Sequence, residues 1–178
     1  MPAYVAMLRG VNVGARNRIK MPALVQVFED LGLADVVTYI QSGNVVFRTR
    51  ASSESALVRK IEQRIASELG CDVSVLLRTR AELASVAKAN PFLKQNADPS
   101  KLHVTFLAAK ADAALARAVA SFDAGADELV VRGREVYLHC PNGYGNTKLN
   151  NGFLEKKLKT IGTTRNWNSV TTLLELAT

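Results

Sequence analysis

The stretch that decides the fold is residues 4–31, YVAMLRGVNVGARNRIKMPALVQVFEDL, where an apolar run is followed by a glycine-containing loop and a helical pattern. The first five letters are typical of a buried strand, and the apolar residues of the last eleven recur every three or four positions. Pro22 lies near the first helical turn, where its fixed φ suits a helix start. The stretch therefore predicts a strand, a loop over residues 9–20 and a helix over residues 23–31.

The remainder of the first half continues this alternation. Ser42-Gly43 separates two β-prone runs and predicts a hairpin, while Ser53 and Gly70 are typical caps of a helix between them. Further strands are predicted at residues 36–40, 45–47 and 73–77, and a helix at residues 54–69. The resulting order, β-α-β-β-α-β, is that of a ferredoxin-like unit.

A second unit of similar order is predicted after a linking segment. Thr79 and Glu82 have the spacing of a capping box, which predicts a helix running to about residue 89, and Asn90-Pro91 ends it. The later strands are predicted at residues 102–107, 129–131 and 136–138, and the helices at 111–119, 148–158 and 169–176. We therefore predict an α+β protein with two ferredoxin-like α/β-sandwich subdomains, residues 1–79 and 102–178, joined by a helix and loop at 80–101. The second subdomain is predicted as β-α-β-β-α with a C-terminal helix.

Composition restricts the class of protein. Of the 178 residues, 48% are hydrophobic, which is enough for a buried core without disulfides or metal. Cys71 and Cys140 are far apart and belong to no ligand-spaced cluster, so we expect reduced thiols and no metal site or cofactor. The sequence shows neither a signal peptide nor a membrane span, and a cytoplasmic location without a membrane partner is expected.

The charge of the chain favours an anionic partner. The formal net charge is +7, and residues 1–50 and 141–178 carry the surplus of Lys and Arg, whereas the middle is nearly balanced. Basic proteins often bind nucleic acid or other polyanions, although some use charge only for solubility. An anionic small molecule or a nucleic acid is therefore the expected partner. The sequence does not determine the oligomeric state.

The loop over residues 9–20 is the first candidate site. It contains four Lys or Arg side chains, two glycines and two asparagines but no carboxylate, and it leads into a helix amino-terminus that favours phosphate or carboxylate. In a ferredoxin-like sheet this loop and the turn at residues 42–44 lie at the same end. Alternatively, the glycines only satisfy turn geometry and the asparagines only tie the loops to backbone. The candidate ligand-binding residues here are Arg9, Asn12, Asn17, Lys20, Ser42 and Asn44.

A second candidate loop covers residues 141–152. It has three glycines and four asparagines, but it lacks both the Walker A ending and the third glycine of a dinucleotide fingerprint. Tyr144 either stacks on a base or sugar or covers the core edge. Thr147 is predicted to cap the following helix, and with Lys148 beside it forms a candidate anion contact; alternatively the loop is solvated and only caps the helix. Arg165 is a further candidate anion contact, and Trp167 is either a stacking platform or a core residue.

No catalytic constellation emerges from the sequence. His103 and His139 lie in predicted strands, where packing is the commoner role. Ser42 has no assignable partner for a hydrolase triad, and neighbours such as His139 and Cys140 face opposite sides of a strand. Catalytic residues are therefore unassigned.

Several motifs resemble one known family. They are YVAMLRGVNVG at residues 4–14, KM at 20–21, YIQSGNV at 39–45, GYG at 143–145, TKL at 147–149, Asn151, and TTRNWN at 163–168 with Val170. Together they resemble the bacterial family known as domain of unknown function 1697, over nearly the whole chain. The resemblance implies two α+β subdomains similar to ferredoxin-like units, and it implies no reaction or cofactor.

Three functions are compatible with these observations. The favoured hypothesis is a binding module for a phosphorylated ligand, nucleotide or nucleic acid. The first alternative is an enzyme acting on a phosphorylated or anionic small substrate, with Lys20, Lys148 or Arg165 stabilising charge. The second is a protein-interaction module, an inference that rests on the fold alone.

Overall fold

The computed structural model, which describes residues 1–178, repeats the order β-α-β-β-α-β-α twice along the chain. The first repeat comprises β1 (Ala3–Leu8), α1 (Met21–Asp30), β2 (Ala34–Tyr39), β3 (Asn44–Arg48), α2 (Glu54–Leu69), β4 (Val75–Thr79) and α3 (Arg80–Lys88). The second comprises β5 (Leu102–Leu107), α4 (Ala113–Ala120), β6 (Glu128–Arg132), β7 (Glu135–His139), α5 (Asn151–Leu158), β8 (Gly162–Asn166) and α6 (Trp167–Leu176).

Each repeat contains one antiparallel four-stranded sheet, with the strand orders β2-β3-β1-β4 and β6-β7-β5-β8. In each sheet the first two strands of the repeat run parallel with the third between them, as in a ferredoxin-like unit. The predicted α+β class with two such subdomains is thus confirmed. Strand β8 is the element that the sequence prediction missed. Its sequence, GTTRN, lacks an apolar alternation, and its extended form is selected by pairing with β5 from His103↔Asn166 to Leu107↔Gly162.

The chain divides into two compact units. Unit 1 consists of Met1–Ala84 and Leu173–Thr178, and unit 2 consists of Ser85–Thr172. The division falls inside α3 and α6, so most of the segment predicted as a linker belongs to unit 2, and the last six residues group with unit 1.

The helices of unit 1 bury the apolar stripes that the sequence periodicity predicts. Leu24 and Phe28 of α1 and Ile61 and Ile65 of α2 are fully buried in one cluster with Phe47 of the sheet. The rings of Phe28 and Phe47 meet edge to face at 5.3 Å between centroids. In unit 2 the corresponding cluster joins α4 and α5 to the sheet through Val119, Leu154, Leu158, Val136 and Leu138.

Helix ends follow the predicted caps with one correction. The Ser53 hydroxyl accepts the Ala56 amide, and Thr79 and Glu82 form the reciprocal bonds of a capping box. The prediction that Thr147 caps α5 is wrong, because α5 begins at Asn151 and the Asn150 side chain accepts the Phe153 amide. Residues 147–149 lie instead between a 3₁₀ turn (Tyr144–Asn146) and that cap.

Candidate functional site

The loop at residues 9–20, called here the β1–α1 loop, lies against the β2–β3 turn as sheet topology predicted. The Leu8 amide donates to the Gly43 carbonyl over 2.8 Å, and the Asn12 side chain donates to the Gln41 carbonyl over 2.7 Å. The approach at Gly43 is close, because a Cβ there would lie 2.9 Å from the Cβ of Leu8. Gly43 has a φ of +82°, so the turn needs glycine for both conformation and space.

Asn12 fixes the shape of the β1–α1 loop. Its side-chain amide donates to the carbonyls of Ile19 and Gln41, and its Oδ1 accepts the Ile19 amide over 2.8 Å. Asn12 and Asn17 both have positive φ, of 56° and 48°, a conformation that asparagine tolerates better than most residues. The Asn12 side chain is therefore used within the loop, in agreement with the structural alternative for this residue.

The two polar residues of the β2–β3 turn also bond internally. Asn44 is fully buried, and its side-chain amide donates to the Tyr39 carbonyl over 3.1 Å and to the Ser42 hydroxyl over 2.8 Å. Asn17 makes only a long contact of 3.5 Å from its side-chain amide to the Gly10 carbonyl. The amides and hydroxyl that were candidate ligand contacts thus mainly build the scaffold of the loops.

The cationic side chains of the β1–α1 loop are exposed to solvent, whereas the Asn12 side chain bonds within the protein. Arg9, Arg16, Arg18 and Lys20 are all exposed, and the side chains of the last three make no hydrogen bond or ion pair. Val11 and Ile19 are buried and anchor the loop between them. The structure therefore presents a cluster of solvent-facing cations, which we call the loop cations (Arg16, Arg18 and Lys20), on an anchored backbone.

The helix start beside the loop cations has no capping side chain. Lys20 occupies the N-cap position of α1 without a side-chain cap bond, Pro22 lies in the first turn, and that turn has no acidic residue. The first amides of a helix have no intrahelical partner and carry the positive end of the dipole. This end of unit 1 is consequently electropositive from both side chains and backbone.

The candidates of the second loop are largely engaged within unit 2. The Tyr144 ring stacks on His103 with centroids 4.6 Å apart, and its hydroxyl accepts the Asn151 amide over 3.1 Å. The Thr147 hydroxyl donates to Asp127 over 2.6 Å and accepts the Leu149 amide. Among these candidates, only Lys148 is exposed without a side-chain partner.

Arg165 is a buried cation. It is only 8% exposed, and its Nη1 donates to the Thr163 hydroxyl over 2.8 Å and to the Thr164 carbonyl over 3.1 Å. Burial lowers the pKa of Arg165 to about 10, which still leaves the guanidinium charged at neutral pH. Its placement in the sheet disfavours the predicted role as a surface anion contact.

The structure also forms a cavity in unit 2 that sequence reasoning did not anticipate. It has a volume of about 610 Å³ and is lined by Ser100, His103, Asn166, Trp167, Asn168 and Thr171 among others. We call it the His103 cavity. The sequence signal was the Asn-Trp-Asn run at residues 166–168, but only the pairing of β5 with β8 brings it to His103.

Other chemistry-bearing groups are isolated. No three His, Cys, Asp or Glu side chains are grouped so as to hold a metal ion. Cys71 and Cys140 are buried free thiols, and burial raises the pKa of Cys140. Among the helices there is none whose length and hydropathy would allow it to cross a membrane.

Comparison with known proteins addresses the fold and the family. The conserved bacterial protein SP0830 from Streptococcus pneumoniae is similar in structure, with a TM-score of 0.79 and 23% sequence identity over 99% of both chains. No curated protein matches the chain significantly. Residues 1–137 match the family described as protein of unknown function, DUF1697. Since this match covers most of the sequence, the chain belongs to the DUF1697 family.

Proposed function

We propose that unit 1 is a binding module for a phosphorylated ligand, which docks on the β1–α1 loop. The observation that carries the proposal is the cluster of loop cations, exposed and without carboxylate partners, beside an uncapped helix start. Phosphate gains from both features, since helix amino-termini and clustered Arg and Lys side chains are recurrent phosphate sites.

Electrostatics explains why such a loop would be retained for binding. Three like charges on one loop repel one another, and their side chains contribute no hydrogen bond or ion pair to the fold. An incoming dianion relieves the repulsion. Asn12 and the buried Val11 and Ile19 already fix the backbone, so the ordering cost of binding is confined to the cationic side chains.

The residue types favour phosphate over a single carboxylate. Arg16 and Arg18 each present a planar fork of N–H donors, which matches phosphate oxygens in bidentate geometry. Lys20 adds a point charge directly before the helix. A phosphate with several oxygens can use all three side chains and the helix amides, whereas one carboxylate cannot.

The test is titration of the whole chain with pyrophosphate, ATP and a short single-stranded RNA, by calorimetry for the first two and fluorescence polarisation for the third. Replacing Arg16 and Arg18 together by alanine should weaken binding by at least tenfold, since each hydrogen bond to a charged group is worth about 1.5–3 kcal/mol. Stability should change by less than about 0.5 kcal/mol, because both side chains are exposed and make no hydrogen bond or ion pair.

A matched control distinguishes binding at this site from a general effect of the protein's net charge. Arg59 and Lys60 are exposed cations of α2 in the same unit, and Arg59→Ala with Lys60→Ala removes the same charge. The control should bind like the parent protein. Equal weakening in both double variants, or no binding of any probe, would refute the proposed site.

The same titrations distinguish a nucleic acid from a small ligand. If RNA binds through the three loop cations, log affinity against log salt should have a slope of about −2, because each neutralised phosphate of a single strand contributes about 0.7. Tighter binding of ATP than of RNA at physiological salt would identify a small phosphorylated ligand.

A further inference from the structure

The His103 cavity has the size of a small-molecule site and lies wholly within unit 2. Its volume of about 610 Å³ is within the usual range for ligand pockets, roughly 300–1,000 Å³. The β5–β8 register places His103 directly opposite Asn166 on the same face of the sheet, and α6 starts at the next residue. Backbone pairing and the helix start thus fix the walls of the cavity.

The ring of His103 is held in place by stacking, but one of its nitrogens has no hydrogen-bond partner. It stacks on Tyr144 with centroids 4.6 Å apart and an interplanar angle of 24°. Its Nδ1 is buried and has no hydrogen-bond partner. A buried polar atom without a partner lowers stability, and such atoms are rare in folded proteins. This cost indicates that the site is not shaped for stability alone.

Several polar groups on the wall have hydrogen-bonding capacity left. The Oδ1 of Asn166 accepts the Ser169 amide over 2.8 Å, which leaves its NH₂ group available. Asn168 is exposed and its side-chain amide has no partner. The Thr171 hydroxyl donates to the Asn168 carbonyl over 3.0 Å and can still accept. The wall therefore offers both donors and acceptors.

The wall carries no formal charge at neutral pH. Its polar residues are amides and hydroxyls, and burial lowers the pKa of His103, which keeps the imidazole neutral. The start of α6 is capped by Asn166, so it is not an open anion site. A charged ligand would lose its hydration here without gaining a counter-charge.

We propose that the His103 cavity binds an uncharged, hydroxyl-bearing ring of the size of a monosaccharide or nucleoside, with Asn166 and Asn168 as hydrogen-bonding residues and Trp167 as part of the wall. Amides and hydroxyls bond to ring hydroxyls as both donors and acceptors. Trp167 is one of the lining residues and is only 6% exposed, so it does not act as an open stacking platform. This site is independent of the β1–α1 loop.

The test uses the single tryptophan of the chain as a probe. Because Trp167 is the only tryptophan, its indole N–H gives one resonance in ¹⁵N-labelled protein. Titrations with glucose, galactose, ribose, adenosine and uridine should shift that resonance to saturation for one of the two chemical classes. The class that saturates identifies the ligand as a sugar or a nucleoside.

Asn168→Ala should weaken the binding about threefold to tenfold, in line with the roughly 0.5–1.5 kcal/mol of one hydrogen bond. The matched control is Asn142→Ala, which removes another exposed amide without a side-chain partner in the same unit and should bind like the parent. The Arg16→Ala, Arg18→Ala double variant should also leave the titration unchanged.

Three results would overturn this inference. One is the absence of a saturable indole shift with every member of the panel. Another is equal weakening in Asn168→Ala and Asn142→Ala. The third is tighter binding of uridine monophosphate or glucose 6-phosphate than of uridine or glucose at this resonance, since a preference for charge contradicts the neutral wall.

Discussion

The two units share strand order and even the hydrogen bonds at one sheet end, yet they differ in the loop between the first strand and the first helix. Leu8 and Leu107 donate to the equivalent turn carbonyls, of Gly43 and Arg134, and the next amides, of Arg9 and Ala108, donate to Ser74 and Ile161. In unit 1 the loop covers residues 9–20 with four cations, whereas in unit 2 residues 108–112 suffice and Asp112 caps α4. The longer cationic loop is therefore not required by the fold.

At the opposite end of each sheet, it is unit 2 that has the unusual feature. Tyr4 in unit 1 and His103 in unit 2 occupy equivalent positions, opposite Thr79 and Asn166 respectively. Tyr4 stacks on Phe47, and its hydroxyl donates to a backbone carbonyl. His103 instead keeps a buried nitrogen without a partner beside a cavity. Each unit thus has one feature that the shared fold does not require, the cationic loop in unit 1 and the His103 cavity in unit 2, and the two lie at opposite sheet ends.

One feature common to both units clarifies the role of Arg165. Arg78 pairs with Val5 and Arg165 with Val104, so the two arginines have equivalent registers. Both are buried, and each Nη1 donates to the carbonyl of the preceding residue, over 2.8 Å and 3.1 Å respectively. A buried arginine at this position is a property of the repeated architecture, which favours a structural role for Arg165.

The largest expected effect concerns the β2–β3 turn, which needs glycine where unit 2 has Arg134. Gly43→Ala should lower the free energy of unfolding by about 3 kcal/mol or more, since left-handed strain of about 1–2 kcal/mol adds to overpacking of about 1–3 kcal/mol. The overpacking arises because the new Cβ would lie 2.9 Å from the Leu8 Cβ. Urea unfolding measures the change.

Gly14→Ala is the matched control for this substitution. Gly14 has a φ of +62°, but no atom lies within 4 Å of a Cβ built there, so only the strain of about 1–2 kcal/mol is expected. Equal losses at the two glycines would show that the contact with Leu8 does not constrain the turn.

A smaller effect is expected for the asparagine that fixes the β1–α1 loop, which has no counterpart in unit 2. Asn12→Ala removes three side-chain hydrogen bonds and should cost about 2–3 kcal/mol, given about 1 kcal/mol for each. Asn17→Ala has a similar positive φ but loses only one long contact, so it should cost about 1 kcal/mol or less. Chemical unfolding of both variants tests the difference, and a cost for Asn17→Ala as large as that for Asn12→Ala would contradict it.

The smallest expected effect concerns Tyr137, a buried polar residue of unit 2 at the position where unit 1 has Val46. The Tyr137 hydroxyl donates to the Val86 carbonyl over 2.9 Å, so Tyr137→Phe should cost about 1 kcal/mol at neutral pH. Burial raises the pKa of Tyr137 to about 12, above the ordinary value of about 10. The unfolded chain therefore loses this proton first, and the parent protein should lose stability as pH rises from about 10 to 12.

Tyr137→Phe should remove this part of the alkaline loss, so the stability difference between variant and parent should shrink or reverse above pH 10. The control is Tyr39→Phe, because Tyr39 is half-buried and its hydroxyl has no hydrogen-bond partner to lose. Thermal unfolding at pH 8 and pH 11 measures both, and parallel pH profiles of parent and Tyr137→Phe would contradict the assignment.

Local patterns account for the elements that the sequence predicted well. The bounds of α2 agree with the prediction because four-residue apolar spacing, Ser53 and Gly70 act within one segment, and those of β5 agree because its β-prone residues form one continuous run. Strand β8 was missed because its polar residues become a strand only by pairing with β5. The proximity of the β1–α1 loop to the β2–β3 turn was predictable from strand order, since topology alone places them at one sheet end.

The sequence by itself determined the α+β class, the order of the elements other than β8 and the position of the cation cluster, since apolar periodicity, capping residues and charge are all properties of neighbouring residues. Only the tertiary structure decided which polar side chains remain available. Asn12 bonds to Gln41 and Thr147 bonds to Asp127, partners that come from distant segments. Likewise, the His103 cavity exists only because β5 and β8 pair. Such long-range contacts decide which donors and acceptors are already bonded within the protein and which remain available.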